Sequence, residues 1–242
     1  MSRLRAALRR DQTVPSGTPR TSAISRCEKA RTSGDFVDAA YQGAKSRGDI
    51  GARYATAYSL GAVAGHLAAD GDTASANVYA NELKRDLNQA RDPNERAQLL
   101  TALGAAGRSE DLPTIVVMAA DPDAAVRRAA AGALRNDASA EGLSVLLRLV
   151  ADPIPPVQQA ALRVLSQRAL ALATLDALAE IVERNVLHKT SYGDLLTLLG
   201  SRVAAGPSVI RMLVFVVAHS EDDPAMEARA RRLLVETGAT AP

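Results

Sequence analysis

The chain has no tryptophan, two phenylalanines, five tyrosines, three histidines and a single cysteine among its 242 residues. The lone cysteine, Cys27, excludes an intramolecular disulfide and a zinc site built on cysteine ligands. His66, His188 and His219 are too far apart in sequence for any two to share a helix face, so no histidine pair marks a metal site or catalytic dyad. Long apolar runs are missing as well. The longest, Met212 to Ala218, falls far short of the ~20 residues that cross a bilayer. β-Branched residues do not alternate with polar ones over a strand's length, which removes the usual sheet signal. There is no Gly-x-Ser-x-Gly elbow, and Gly104 to Gly107 lacks the Lys-Ser/Thr and preceding strand of a phosphate loop. No metal, cofactor or catalytic residue is therefore expected, and the chain is read as non-enzymatic.

What remains is rich in alanine and leucine, the strongest helix formers, so the expected class is all-α. The net charge of +2 hides an asymmetry. Residues 1–31 hold eight Lys or Arg against Asp11 and Glu28, so the remaining body is net acidic. An acidic body argues against nucleic acid, which needs a basic stripe. Residues 1–24, beginning MSRLRAALRR, read as a disordered basic leader. An amphipathic targeting peptide, a basic arm for an acidic partner, or a displaced start would give the same composition. The segment lacks the apolar core of a secretory signal, so a cytoplasmic location is expected.

From Ser25 onward, helix-stop and capping residues recur at regular intervals and divide the chain into about twelve segments of helical length. Two segments repeat thirty-one residues apart: Asp121-Pro122-Asp123-Ala124-Ala125-Val126-Arg127 and Asp152-Pro153-Ile154-Pro155-Pro156-Val157-Gln158, each followed by an alanine-rich helix. Asp223-Pro224 with Arg229 repeats the pattern. The expected roles are Asp as N-cap, Pro as first helical residue, and Arg127, Gln158 and Arg229 as rungs reaching the Asp of an adjacent turn. Carboxylates at Glu110, Asp111, Asp121, Asp123 and Asp152 fall at helix starts and are read as caps. Val209 to Ala218, apolar nearly all round apart from Arg211, is expected to be the most enclosed helix near the C-terminus.

Residues 121–134 and 152–165 resemble the second helix of HEAT repeats, over about residues 92–242. That resemblance implies an α-solenoid, a right-handed superhelix of antiparallel helix pairs, that binds a protein or peptide segment along an extended concave surface. It carries over no catalytic residue. Residues 25–91 are read as a divergent helical cap or early repeats. A weaker likeness joins Tyr58-Ser59-Leu60-Gly61, Leu99 to Gly107 and Leu112-Pro113-Thr114-Ile115 to the helical domain of vitellogenin-like large lipid transfer proteins. It implies a lipid as the alternative ligand, although Ala105-Ala106 stands where that family usually has Asn.

The aromatic residues cluster in residues 36–79. Tyr41, Tyr54, Tyr58 and Tyr79 are the candidate partner surface, because an exposed tyrosine offers a large apolar face with a polar tip. The alternative is that they fill space beside the small residues Ala57, Gly61, Ala62 and Gly65. Outward positions of residues 124–135, 155–168 and 224–237 are the other candidate contributors.

Overall fold

The computed structural model describes residues 19–204 and 206–238, with side chains from residue 28. Residues 1–18, most of the expected basic leader, lie outside the described residues, as does the Cys27 side chain. Twelve α-helices and no strand are found among the described residues. They are α1 (Pro19–Arg47), α2 (Ile50–Ala69), α3 (Thr73–Gln89), α4 (Pro93–Ala106), α5 (Leu112–Met118), α6 (Ala124–Ala133), α7 (Ala140–Val150), α8 (Pro155–Ser166), α9 (Leu172–Glu183), α10 (Tyr192–Gly200), α11 (Pro207–Ala218) and α12 (Pro224–Glu236). The first helix starts at Pro19 rather than near Ser25.

The helices form two rows. The even-numbered ones, α2 to α12, pack each on the next, and the odd-numbered helices lie against an even neighbour, except α9, which packs on α11 and α7 of its own row. The result is an all-α solenoid. From α2 to α8 the even row is packed more closely than the odd row. Residue size explains the closeness. A Cβ on Gly61 of α2 would sit 1.9 Å from the carbonyl oxygen of Ala102 on α4, and one on Gly104 of α4 would sit 2.4 Å from Cα of Ala133 on α6. Backbones can approach so far only where no side chain intervenes.

Helix starts decide the register. Asp92 caps α4 through its bond from Glu95 N (3.0 Å), with Pro93 as first helical residue. The two central Asp-Pro pairs behave otherwise, which corrects the expected roles of Asp121, Pro122, Asp152 and Pro153. The caps of α6 and α8 are Asp123 and Ile154, and both prolines stand before the helix. Asp121 Oδ1 accepts from Asp123 N (2.8 Å) and Asp152 Oδ1 from Ile154 N (2.9 Å), so each Asp shapes a turn two residues ahead of its cap. Asp223 and Pro224 take the expected positions at the start of α12, as Asp92 and Pro93 do at α4.

Counting from the cap, the fourth helical residue of α2, α4, α6 and α8 is Arg53, Arg96, Arg127 and Gln158. These residues make the rungs. Arg96 holds Asp121 with Nε and Nη2 at 3.1 and 3.2 Å. Arg127 holds Asp152 in the same fork at 2.6 and 3.0 Å, and its Nη1 donates to the carbonyls of Asp121 and Pro122 in its own turn. The Asp152 hydrogen bond lifts the Arg127 pKa further above its already high value. Gln158 has no Asp to reach. It donates to Asp152 O and Val186 O and accepts from His188 N and Ser191 Oγ. Arg229 is out of register and turns back to Gly193 O and Thr197 Oγ1 of α10, so it bridges to no following Asp.

Removing a forked, largely buried arginine strands the Asp152 carboxylate and two backbone carbonyls. Arg127→Ala is expected to cost about 2–3 kcal/mol, and Arg127→Lys to recover little of it, because an ammonium cannot make the fork. Chemical denaturation followed by helical circular dichroism measures both.

Candidate binding groove

The same register places the groove. One step past each rung, and one turn further on, stand Tyr54 and Tyr58 on α2, Ala97 and Thr101 on α4, Arg128 and Gly132 on α6, and Gln159 and Arg163 on α8. All eight are half-buried or exposed, on the side where the even helices meet. A hollow of about 370 Å³ opens there across α2, α4 and α6. Tyr58 forms one wall, Gly104, Ala105, Ala129 and Gly132 the floor, and Gln98, Thr101, Arg128, Arg135 and Asn136 the polar lining.

Of the four candidate tyrosines, two are removed from this surface. Tyr41 is fully buried and donates to Asp86 Oδ2 at 2.5 Å. Tyr79, 4% exposed, closes over Gly34 and donates to Asp35 Oδ1 at 2.7 Å. Burial, reinforced by the carboxylate each one bonds, pushes both phenols far above the ordinary tyrosine value. Tyr79 fills space beside the small residue Gly34. Tyr58 is 55% exposed and faces the hollow, and Tyr54 is half-buried one turn earlier.

The other candidates have structural partners. His219 stacks on Phe215 with ring centroids 4.0 Å apart, and His188 caps the turn before α10. No group of His, Cys, Asp or Glu among the described residues could hold a metal ion. Asp123 caps α6 through Ala125 N, as expected. Asp111 is more than a helix-start acid: it is fully buried and lies 2.5 Å from Lys84 Nζ. Gly104 lies inside α4, and Gly107 ends it in the left-handed conformation (φ 61°). Val209, Met212, Leu213 and Val216 of α11 are fully buried, and Arg211 pairs with Glu183. A second hollow, of about 240 Å³, is closed by Leu103, Leu112 and Ile115, and its arginine, Arg108, is already bonded to Ala76 O (2.8 Å) and Asn77.

A family model for HEAT repeats matches residues 81–166 and 118–187, from within α3 to the turn after α9. Residues 81–187 carry HEAT repeats. Comparison with curated proteins and with solved structures gave no match. In a HEAT stack each unit buries its apolar face against its neighbours, and the extended inner surface is left for ligands. HEAT repeats are typically scaffolds without catalytic residues. No helix among the described residues is long and apolar enough to cross a membrane.

Sequence reasoning covered Arg128 and Arg135 only within the outward positions of residues 124–135 and did not single them out. Their signal was present, since Arg128 follows a rung directly and Arg135 stands two residues past its helix, as Arg108, Arg168 and Arg202 do past theirs. Gly132 also shows how open the floor is, because a Cβ there would meet nothing within 4 Å. Gly132→Ala is expected to raise stability by about 0.5–1 kcal/mol through helix propensity alone, read as a higher denaturation midpoint.

Proposed function

We propose that this chain is a non-enzymatic scaffold that takes an extended protein segment into the groove between α2, α4 and α6. The observation that carries the reading is the exposed Tyr58 standing over a floor of Gly104, Ala105, Ala129 and Gly132. A small-residue floor admits a polypeptide backbone, the tyrosine supplies an apolar face, and Gln98, Thr101 and Asn136 offer partners to backbone amides. Tyr54 extends the same wall. A lipid, the alternative ligand, would call for a continuous apolar lining, and the mixed lining of this groove favours protein.

The test is selection of binders from a displayed peptide library on the full chain. Selected peptides are expected to lose at least ~10-fold in affinity on Gly132→Trp, which fills the floor, and to be unaffected by Val117→Trp on the odd row. Peptides indifferent to Gly132→Trp, or a stoichiometric lipid adduct in native mass spectrometry, would overturn the reading.

A further inference from the structure

Most arginines of the central stack are committed to it. Arg96 and Arg127 hold the acids of the following turn, and Arg163 forks onto Asp194 at 2.9 and 3.2 Å. The arginines two residues beyond α8 and α10 cap carbonyls of the preceding even helix: Arg168 donates to Leu134 O, and Arg202 to Leu165 O and Ser166 O at 3.3 and 3.2 Å. Arg135 stands at the same place beyond α6 and makes no such bond. The end of α4, where it would dock, is covered by Asn136, which lies 3.3 Å from where a Cβ of Gly107 would be. Arg135 is turned out to solvent and lines the groove instead.

Arg128 is the second. It is exposed, lines the groove from α6, and has no acceptor among the described residues. The nearest acids in sequence are engaged elsewhere: Asp123 accepts from Ala125 N, and Asp137, close to Arg135, accepts from Ser139 N and Oγ. Two unpaired guanidinium groups thus share one wall in a body whose net charge is acidic. Seven residues apart, the last two in the 3-10 turn that follows α6, their backbone positions lie on the order of 10 Å from each other along the axis. That span matches the ~9 Å between side chains three residues apart in an extended segment of polyproline type.

We infer that the groove selects an acidic protein segment, one carboxylate meeting Arg128 and another Arg135. This rests on the groove reading above and adds the partner's charge to it. Guanidinium forks match carboxylates in two hydrogen bonds each, and neither arginine has to give up an existing bond to make them. Nucleic acid is the weaker fit, since two arginines in an acidic body give no continuous stripe along a phosphate chain.

The experiment uses the full chain, peptides selected from the displayed library, and a single-stranded oligonucleotide of similar length as a separate probe. Selected peptides are expected to be enriched in Asp and Glu. Their affinity is expected to fall at least ~10-fold in the Arg128→Gln/Arg135→Gln double variant and to weaken as salt rises. Both positions are exposed, so the double variant is expected to keep the wild-type denaturation midpoint, and glutamine retains hydrogen-bonding capacity without charge. Peptides that respond to Gly132→Trp but show no acidic enrichment and ignore the arginine substitutions would overturn this inference and leave the groove reading standing. Peptides that ignore Gly132→Trp would overturn both, and oligonucleotide binding lost in the double variant would overturn the choice of partner.

Discussion

Asp86→Ala is expected to cost about 3 kcal/mol of stability, the largest loss among single polar substitutions in this chain. Asp86 is 2% exposed, on α3, and gathers three donors from two other helices. Tyr41 donates at 2.5 Å and Lys45 at 2.6 Å, both from α1, and Arg53 of α2 approaches to 3.5 Å while holding Glu95 at 2.6 Å. Removing the carboxylate strands the Tyr41 hydroxyl and leaves two cations facing each other; partial exposure of Lys45 keeps the cost below the upper range for buried pairs. Asp86→Asn keeps an acceptor for Tyr41 and is expected to cost less. Burial alone would raise the Asp86 pKa, but the hydrogen bonds from Lys45 and Tyr41 and the charges of Lys45 and Arg53 outweigh it and hold the group below 3.8. A depressed folded pKa means that the contribution is fully present above the ordinary carboxylate value and is lost as pH falls below it. Stability measured from about pH 5 down to about pH 2, a window that brackets the ordinary value of about 4 and runs below it, should fall less steeply toward acid in Asp86→Asn than in the wild type.

Gly61→Ala is expected to destabilise by about 2 kcal/mol, although alanine is the better helix former by about 1 kcal/mol. The added methyl would lie 1.9 Å from the Ala102 carbonyl oxygen, so α2 and α4 must separate. Backbone cannot swing aside as a long side chain can. The contrast with Gly132→Ala isolates the cause, because the chemical change is the same and only the surroundings differ. Thermal scans should show the midpoint dropping by roughly 4–8 °C for Gly61→Ala and rising for Gly132→Ala. Equal shifts for both would sink the steric account.

The helical class, the number of helices and the HEAT pattern were legible because capping chemistry and apolar spacing are local, and the repeat presents them several times. The rung role of Arg127 was legible for the same reason. The cap positions were not, since an Asp-Pro pair reads alike whether it starts a helix, as at Asp223, or shapes a turn two residues ahead of one, as at Asp121 and Asp152. That shift of two residues hid Arg53 and Arg96 as members of the ladder and placed Arg229 in it wrongly. The tyrosines failed for a different reason. Tyr41 and Tyr58 are equally amphipathic in sequence, and only the tertiary placement of Asp86 beside one and open space beside the other separates them. Unpaired arginines are legible only by elimination, once every acid has been assigned to its cation.

The ladder also gives the stack a direction. Arg96 reaches forward to Asp121 and Arg127 forward to Asp152, so the units led by α4 and α6 offer cations toward the C-terminus, and those led by α6 and α8 offer carboxylates toward the N-terminus. Such units join only head to tail. Turning one around would set guanidinium against guanidinium at one seam and carboxylate against carboxylate at the other. Charge at the seams thereby orders the units, as apolar packing alone, nearly the same in every pair, would not.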